Sequence, residues 1–202
     1  MRHDTMKAFP LRFDFTPEVW CGARARLHSS REDAFQQLLG DALRISMPGF
    51  VATFSTAGRD GSIDAFIEAS VPLPRLFGDV SSPIIVECKD NDDRSDDVVE
   101  NVSSAWRKLA ERLERKAADK WPDLYQPWIT ARGYIYATSA TLPHKKARDD
   151  LRNKIHGFFD RLRISNLCGI EQVRVVDWTD LRHFYDTCPG LADRWLGVET
   201  GP

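Results

Sequence analysis

The chain has 202 residues, 42% of them hydrophobic and 29% charged, which suits one domain with a full core and excludes a largely disordered chain. A formal net charge of −2 excludes nucleic-acid binding carried by global charge alone, and no apolar run approaches the roughly 18 residues of a membrane helix. The opening residues, MRHDTMKAFPLRFDF, lack the apolar core of a signal peptide and are too poor in bases for a transit peptide, so a cytoplasmic protein is expected.

Residues 1–29, with Pro10 and Pro17, predict an irregular N-terminal segment. Ser30 can cap a helix over about 31–45, whose apolar face carries Ala34, Phe35, Leu38, Leu39 and Ala42 and which Pro48-Gly49 stops. FVATFST (50–56) reads as a strand, AGRDG as a turn, and SIDAFIEASV (62–71) as a second strand with Ile63, Ala65 and Ile67 on one face. PIIVECK (83–89) reads as a third strand, its continuous apolar run that of a buried one. A long helix over 96–120 follows, with Val98, Val102, Ala105, Leu109 and Leu113 inward. Residues 128–140 read as a fourth strand. Residues 145–164 read as an amphipathic helix with Ala147, Leu151, Ile155, Phe158 and Leu162 inward, and 171–178 as a fifth strand. The order predicts an α/β domain over 30–178, a central mixed sheet of about five strands flanked by helices, with a helical C-terminal tail over 179–202.

Cys21, Cys88, Cys168 and Cys188 lie far apart and form no C-x-x-C pair, so they read as free thiols and not as a zinc site. The five histidines show no metal-ligand spacing. Charge is unevenly placed: residues 79–100 hold eight acids against two bases, and residues 104–163 hold fourteen Lys and Arg against seven acids. An acidic pole beside a basic surface suits a divalent cation next to a polyanion, although charged helix faces are commonly just solvated.

The chemistry-bearing stretch is 58–89. Asp64 follows a Gly-containing turn, and Glu87 and Lys89 end the third strand, two residues apart and so on one sheet face. Pairing of the two strands would bring two carboxylates and a lysine together. Charges ending an apolar strand are costly unless paired or solvated. Two hard oxygen ligands suit Mg²⁺ or Mn²⁺, and a lysine beside the ion can orient an attacking water. A structural ion pair of Lys89 with Asp64 or Glu87 would use the same residues. The bare pattern (D/E)-x-K is weak: Glu114-Arg115-Lys116 repeats it inside a predicted helix, with neither a strand nor a partner Asp.

GRDGSIDAFIE followed by PIIVECK resembles the core of the PD-(D/E)xK nuclease superfamily, most closely its Mrr-type restriction endonuclease branch. The resemblance covers 31–138, and 139–178 more loosely. It implies a restriction-endonuclease-like fold and Mg²⁺-dependent cleavage of DNA, with Mn²⁺ able to substitute. It implies that Asp64 and Glu87 are metal ligands, that Lys89 is the catalytic lysine, and that the backbone carbonyl of Cys88 completes the metal shell. The family's Phe-Glu pair on the first helix reads Phe35-Gln36 here; Gln36 can assist at the edge of the site by hydrogen bonding a water but adds no charge, and Glu32 or Asp41 are candidate substitutes. Asp60 reads as a turn former. The resemblance further implies an effector of prokaryotic anti-phage defence, working as a homo-oligomer or within a larger NTPase-containing protein; the chain itself has no P-loop. The alternatives are a catalytically impaired nuclease-fold module that binds DNA, and a phosphodiesterase acting on RNA or a nucleotide.

Among the remaining features, KDNDDRSDD (89–97) reads as a solvated acidic loop. Lys145, Lys146, Arg148, Arg152 and Lys154 are candidate phosphate contacts, as are Thr138, Ser139 and Thr141. Trp106, Trp121, Trp128, Trp178 and Trp195 read as core or interface anchors.

Overall fold

The computed structural model describes residues 31–46, 52–54, 63–68, 78, 80–89, 106–115 and 126–187. Helix α1 (Arg31–Ser46) buries Phe35, Leu38, Leu39, Ala42 and Leu43, the i, i+3, i+4, i+7, i+8 stripe that turns one helix face to a core. The strands are β1 (Ala52–Phe54), β2 (Ala65–Ile67), β3 (Ile84–Lys89), β4 (Gly133–Thr138) and β5 (Gln172–Val176). They lie side by side in chain order. β1, β2 and β3 pair antiparallel, whereas β3, β4 and β5 pair parallel. Parallel neighbours need crossover connections, and helices supply them. A helical stretch at 106–115 (α2) and α3 (Gln126–Thr130) lie between β3 and β4, and α4 (Lys145–Ile164) lies between β4 and β5. Helix α5 (Trp178–Thr187) follows β5.

The sheet separates two cores, which is why its central strands are apolar on both faces. Ile84, Val86 and Cys88 of β3 join Ile135 and Ala137 of β4 in a cluster with α1 and with Trp178 and Leu181 of α5. Ile85 and the alternate residues Tyr134 and Tyr136 enter a second cluster with Trp106, Leu109 and Leu113 of α2, Trp128 of α3, and Leu151, Ile155, Phe158, Phe159 and Leu162 of α4. The molecule is thus a mixed α/β domain with helices on both faces of a mixed sheet. None of its described helices is long and apolar enough to cross a membrane.

Helix α4 has the predicted bounds because both ends are specified. His144 accepts the Ala147 N–H at its N-terminus through Nδ1, at 3.0 Å. At the other end Asn166 adopts φ 55°, and the Asn166 and Leu167 N–H groups bond the carbonyls of Arg163 and Leu162, both at 2.9 Å.

Four expectations need correction. The fifth strand ends at Val176, and Trp178, expected in it, opens helix α5. Residues 126–130 are helical, and the fourth strand starts only at Gly133; the extra turn drives Trp128 into the second core against Tyr134 and Phe159. The second strand is shorter than predicted and its alternation fails at its start: Ile63 packs in the second cluster while Ala65 and Ile67 pack in the first. Ala147 is half-buried, whereas Leu151, Ile155, Phe158 and Leu162 are buried as predicted. Residues 1–29, Pro48, Gly49, the 58–61 turn with Asp60, Val98, Val102, the 90–97 loop, Trp121 and Trp195 lie outside the described residues, as does the side chain of Glu32.

Candidate functional site

The site forms where β2 begins, beside the C-terminal end of the antiparallel β3. Asp64 immediately precedes β2, and its N–H donates to the Val86 carbonyl at 3.1 Å. Two residues further along β3, and so on the same edge, Cys88 also directs its backbone N–H toward β2. There the side chain of Asp64 takes the place of a strand partner: its Oδ2 accepts the Cys88 N–H at 2.5 Å. Its Oδ1 accepts from Gln36 Nε2 of α1 at 3.0 Å. A carboxylate that is 8% exposed is therefore held from two elements, with a hydrogen bond to each oxygen. The Cys88 thiol is buried in the first core, and the contact with Asp64 is made by the backbone N–H.

Glu87 occupies the next position on β3 and is 6% exposed. Its Oε1 lies 3.4 Å from Lys89 Nζ, and its Oε2 accepts the Tyr134 hydroxyl of β4. Trp106 Nε1 of α2 donates in turn to that hydroxyl at 3.4 Å. Burial, and then the charge of Glu87, push the Tyr134 phenol well above its ordinary value, so its proton stays in place for the hydrogen bond. Lys89 has a side chain that is 35% exposed, which lets its ammonium meet both Glu87 and solvent.

Gln36, Asp64, Glu87, Cys88 and Lys89 are thus gathered around one end of the β2–β3 pair, with two carboxylates against one ammonium. That net negative charge and its hard oxygen donors fit a small divalent cation that retains waters. Asp64 and Glu87 would hold it, joined by the Cys88 carbonyl. Among the described residues no group of three or more His, Cys, Asp or Glu side chains is placed to hold a metal, so any ion here would rest on this smaller set.

Other candidates serve the fold. Thr138 and Ser139 are fully buried, and Thr138 Oγ1 accepts the Ala140 N–H at 3.1 Å, shaping the turn after β4. Arg148 pairs with the fully buried Asp177 at 2.8 Å and with Asp180 at 3.0 Å. Lys146 and Arg152 pair with Asp150 and Asp149 along α4. Asp41 of α1 is buried, and Trp106, Trp128 and Trp178 are core residues as predicted. Sequence reasoning missed Tyr134 as the partner of Glu87. The signal was present: in a parallel β3–β4 pair both residues fall on the face opposite to Val86 and Ile135, but the register had to be known first. No family model, curated protein or solved structure matches this chain.

Proposed function

We propose that this protein is a Mg²⁺-dependent DNA endonuclease with a restriction-endonuclease-like fold, in which Mn²⁺ can substitute for Mg²⁺. The observation that carries the reading is the placement of Asp64: its carboxylate is bonded to the Cys88 N–H, within the Glu-Cys-Lys run that ends a buried strand. Asp64 and Glu87 would hold the ion, joined by the Cys88 carbonyl. When bound, such an ion would supply positive charge to offset the negative charge that develops on a phosphoryl oxygen. Lys89, braced by Glu87, orients the attacking water toward phosphorus. The water oxygen bonds to phosphorus and gives up a proton to solvent, the P–O bond to the leaving strand breaks, and the leaving oxygen takes a proton from solvent to end as a hydroxyl. Gln36 and Tyr134 are positioning residues, one fixing Asp64 and the other Glu87.

Net charge −2 predicts weak intrinsic DNA affinity, which suits an effector of cytoplasmic antiviral defence that acts as a homo-oligomer or within a larger NTPase-containing protein. A second reading, a nuclease-fold module that binds DNA without cutting it, is favoured by the neutral Gln36 amide occupying Asp64 Oδ1. Duplex DNA, single-stranded DNA and RNA of equal length, each incubated in Mg²⁺ and in EDTA, separate these readings. The nuclease cuts DNA in Mg²⁺ only. Preferential RNA cleavage would make it a ribonuclease, and DNA binding without cleavage would favour the binding module.

A further inference from the structure

A second feature lies on the far side of the second core, where α2 and α4 leave a groove of about 440 Å³ between them. That volume is in the range of small-molecule sites. Trp106, Phe158 and Leu162 form an apolar floor, with Trp106 stacked on Phe158 at 5.6 Å between ring centroids. Arg107, Lys154 and Arg161 stand around it, all exposed.

These cations differ from their neighbours. On α4, Lys146, Arg148, Arg152 and Arg163 each pair with an acid. Lys154 and Arg161 form no ion pair among the described residues, and neither does Arg107; Lys145, at the first turn of α4, is the other unmatched cation of that helix. The groove is therefore lined by three cations that form no ion pair among the described residues, with one carboxylate, Glu114, over an apolar surface. That combination recognises an anion carried on a ring body. The Glu114 carboxylate on the same wall offers an acceptor for ring N–H donors and disfavours a plain hydrocarbon tail.

We propose that this groove binds a nucleoside monophosphate or a ligand of the same chemistry, its phosphate on Lys154, Arg161 and Arg107 and its base over the Trp106–Phe158 floor. The site stands apart from the nuclease reading. It lies beyond Tyr134, since Trp106 both lines the groove and donates to the hydroxyl that holds Glu87.

Calorimetric titration of the full chain at low salt, without metal, tests this with AMP, GMP, CMP and UMP as probes. Adenosine, inorganic phosphate and decanoate are the comparison arms. At least one nucleotide should bind about tenfold more tightly than adenosine, phosphate or decanoate. The exposed double variant Lys154→Ala/Arg161→Ala should weaken it by about tenfold or more, as loss of charge-assisted contacts requires. Lys145→Ala should leave it unchanged. Absence of nucleotide binding at millimolar concentration would overturn the proposal. So would decanoate binding as tightly as the best nucleotide, or equal losses in Lys145→Ala and the double variant. No DNA cleavage is read, so failure here and failure of the nuclease reading remain distinct.

Discussion

Glu87 has a partner that its own strand does not reveal, the Tyr134 hydroxyl of β4. The hydroxyl that donates to Oε2 is fully buried, and without it a buried carboxylate oxygen loses its donor. Tyr134→Phe should cost about 1–3 kcal/mol in urea unfolding at neutral pH. The pH dependence has a definite sign. The folded-state phenol is raised, so its contribution is complete below the ordinary tyrosine value near 10 and is lost as pH rises toward the folded value, where the unfolded chain has already released its proton. Wild type should therefore lose stability above about pH 10 more steeply than Tyr134→Phe does; equal slopes would contradict this account of the site. Arg148 makes a second test. Burial opposes its charge, but Asp177 and Asp180 more than compensate, and the guanidinium remains charged. Arg148→Ala leaves Asp177 buried without its cation and should cost about 3 kcal/mol. A loss below 0.5 kcal/mol, typical of surface pairs, would show that the pair is not structural.

The elements are fixed by contacts that the sequence announces unevenly. Gly133 opens β4 where the chain at 80–84 passes so closely that an added Cβ would lie 2.1 Å from Val80 Cγ1 and 2.8 Å from the Ser81 carbonyl oxygen. Gly133→Ala should therefore destabilise by about 1–3 kcal/mol in thermal or urea unfolding, and a neutral effect would mean that the 80–84 segment yields freely. Nothing in GYIYAT marks that glycine as a crossing point, because the neighbour is some fifty residues away. Helix α4 was legible to its ends, since its apolar spacing is strong and its caps are local. β3 was legible as a buried strand for the same reason. The 126–130 turn was not: Trp128 and Ile129 suit a strand locally, and the packing of Trp128 in the second core is a tertiary contact. At the site, the sequence order singled out Asp64, Glu87 and Lys89, and Gln36 entered through the family resemblance. The bond from Gln36 to Asp64 and the Tyr134 support are tertiary facts, set by α1 packing and by β3–β4 register.

At the scale of the whole molecule, the sheet lets one carboxylate be held from each core. Asp64 is braced by α1, which belongs to the first core, and Glu87 by Tyr134 and Trp106, which belong to the second. The strongly basic stretch over 104–163 is less available than its composition suggests, because four of the Lys and Arg on α4 are matched by acids. DNA binding should accordingly show a salt dependence below that of fourteen free cations, with a log–log slope no steeper than about −9 for the ten that remain. A steeper slope would mean that more phosphates are contacted than these remaining cations can serve. The most direct test of the nuclease reading uses supercoiled plasmid in Mg²⁺, Mn²⁺ or EDTA over a range of protein concentrations, with Asp64→Ala and Lys89→Ala beside the wild type. The account predicts metal-dependent nicking that rises steeply with protein concentration and falls by about 10²-fold or more in both folded variants. Nicking that survives in EDTA, or that persists in folded Asp64→Ala and Lys89→Ala, would contradict it.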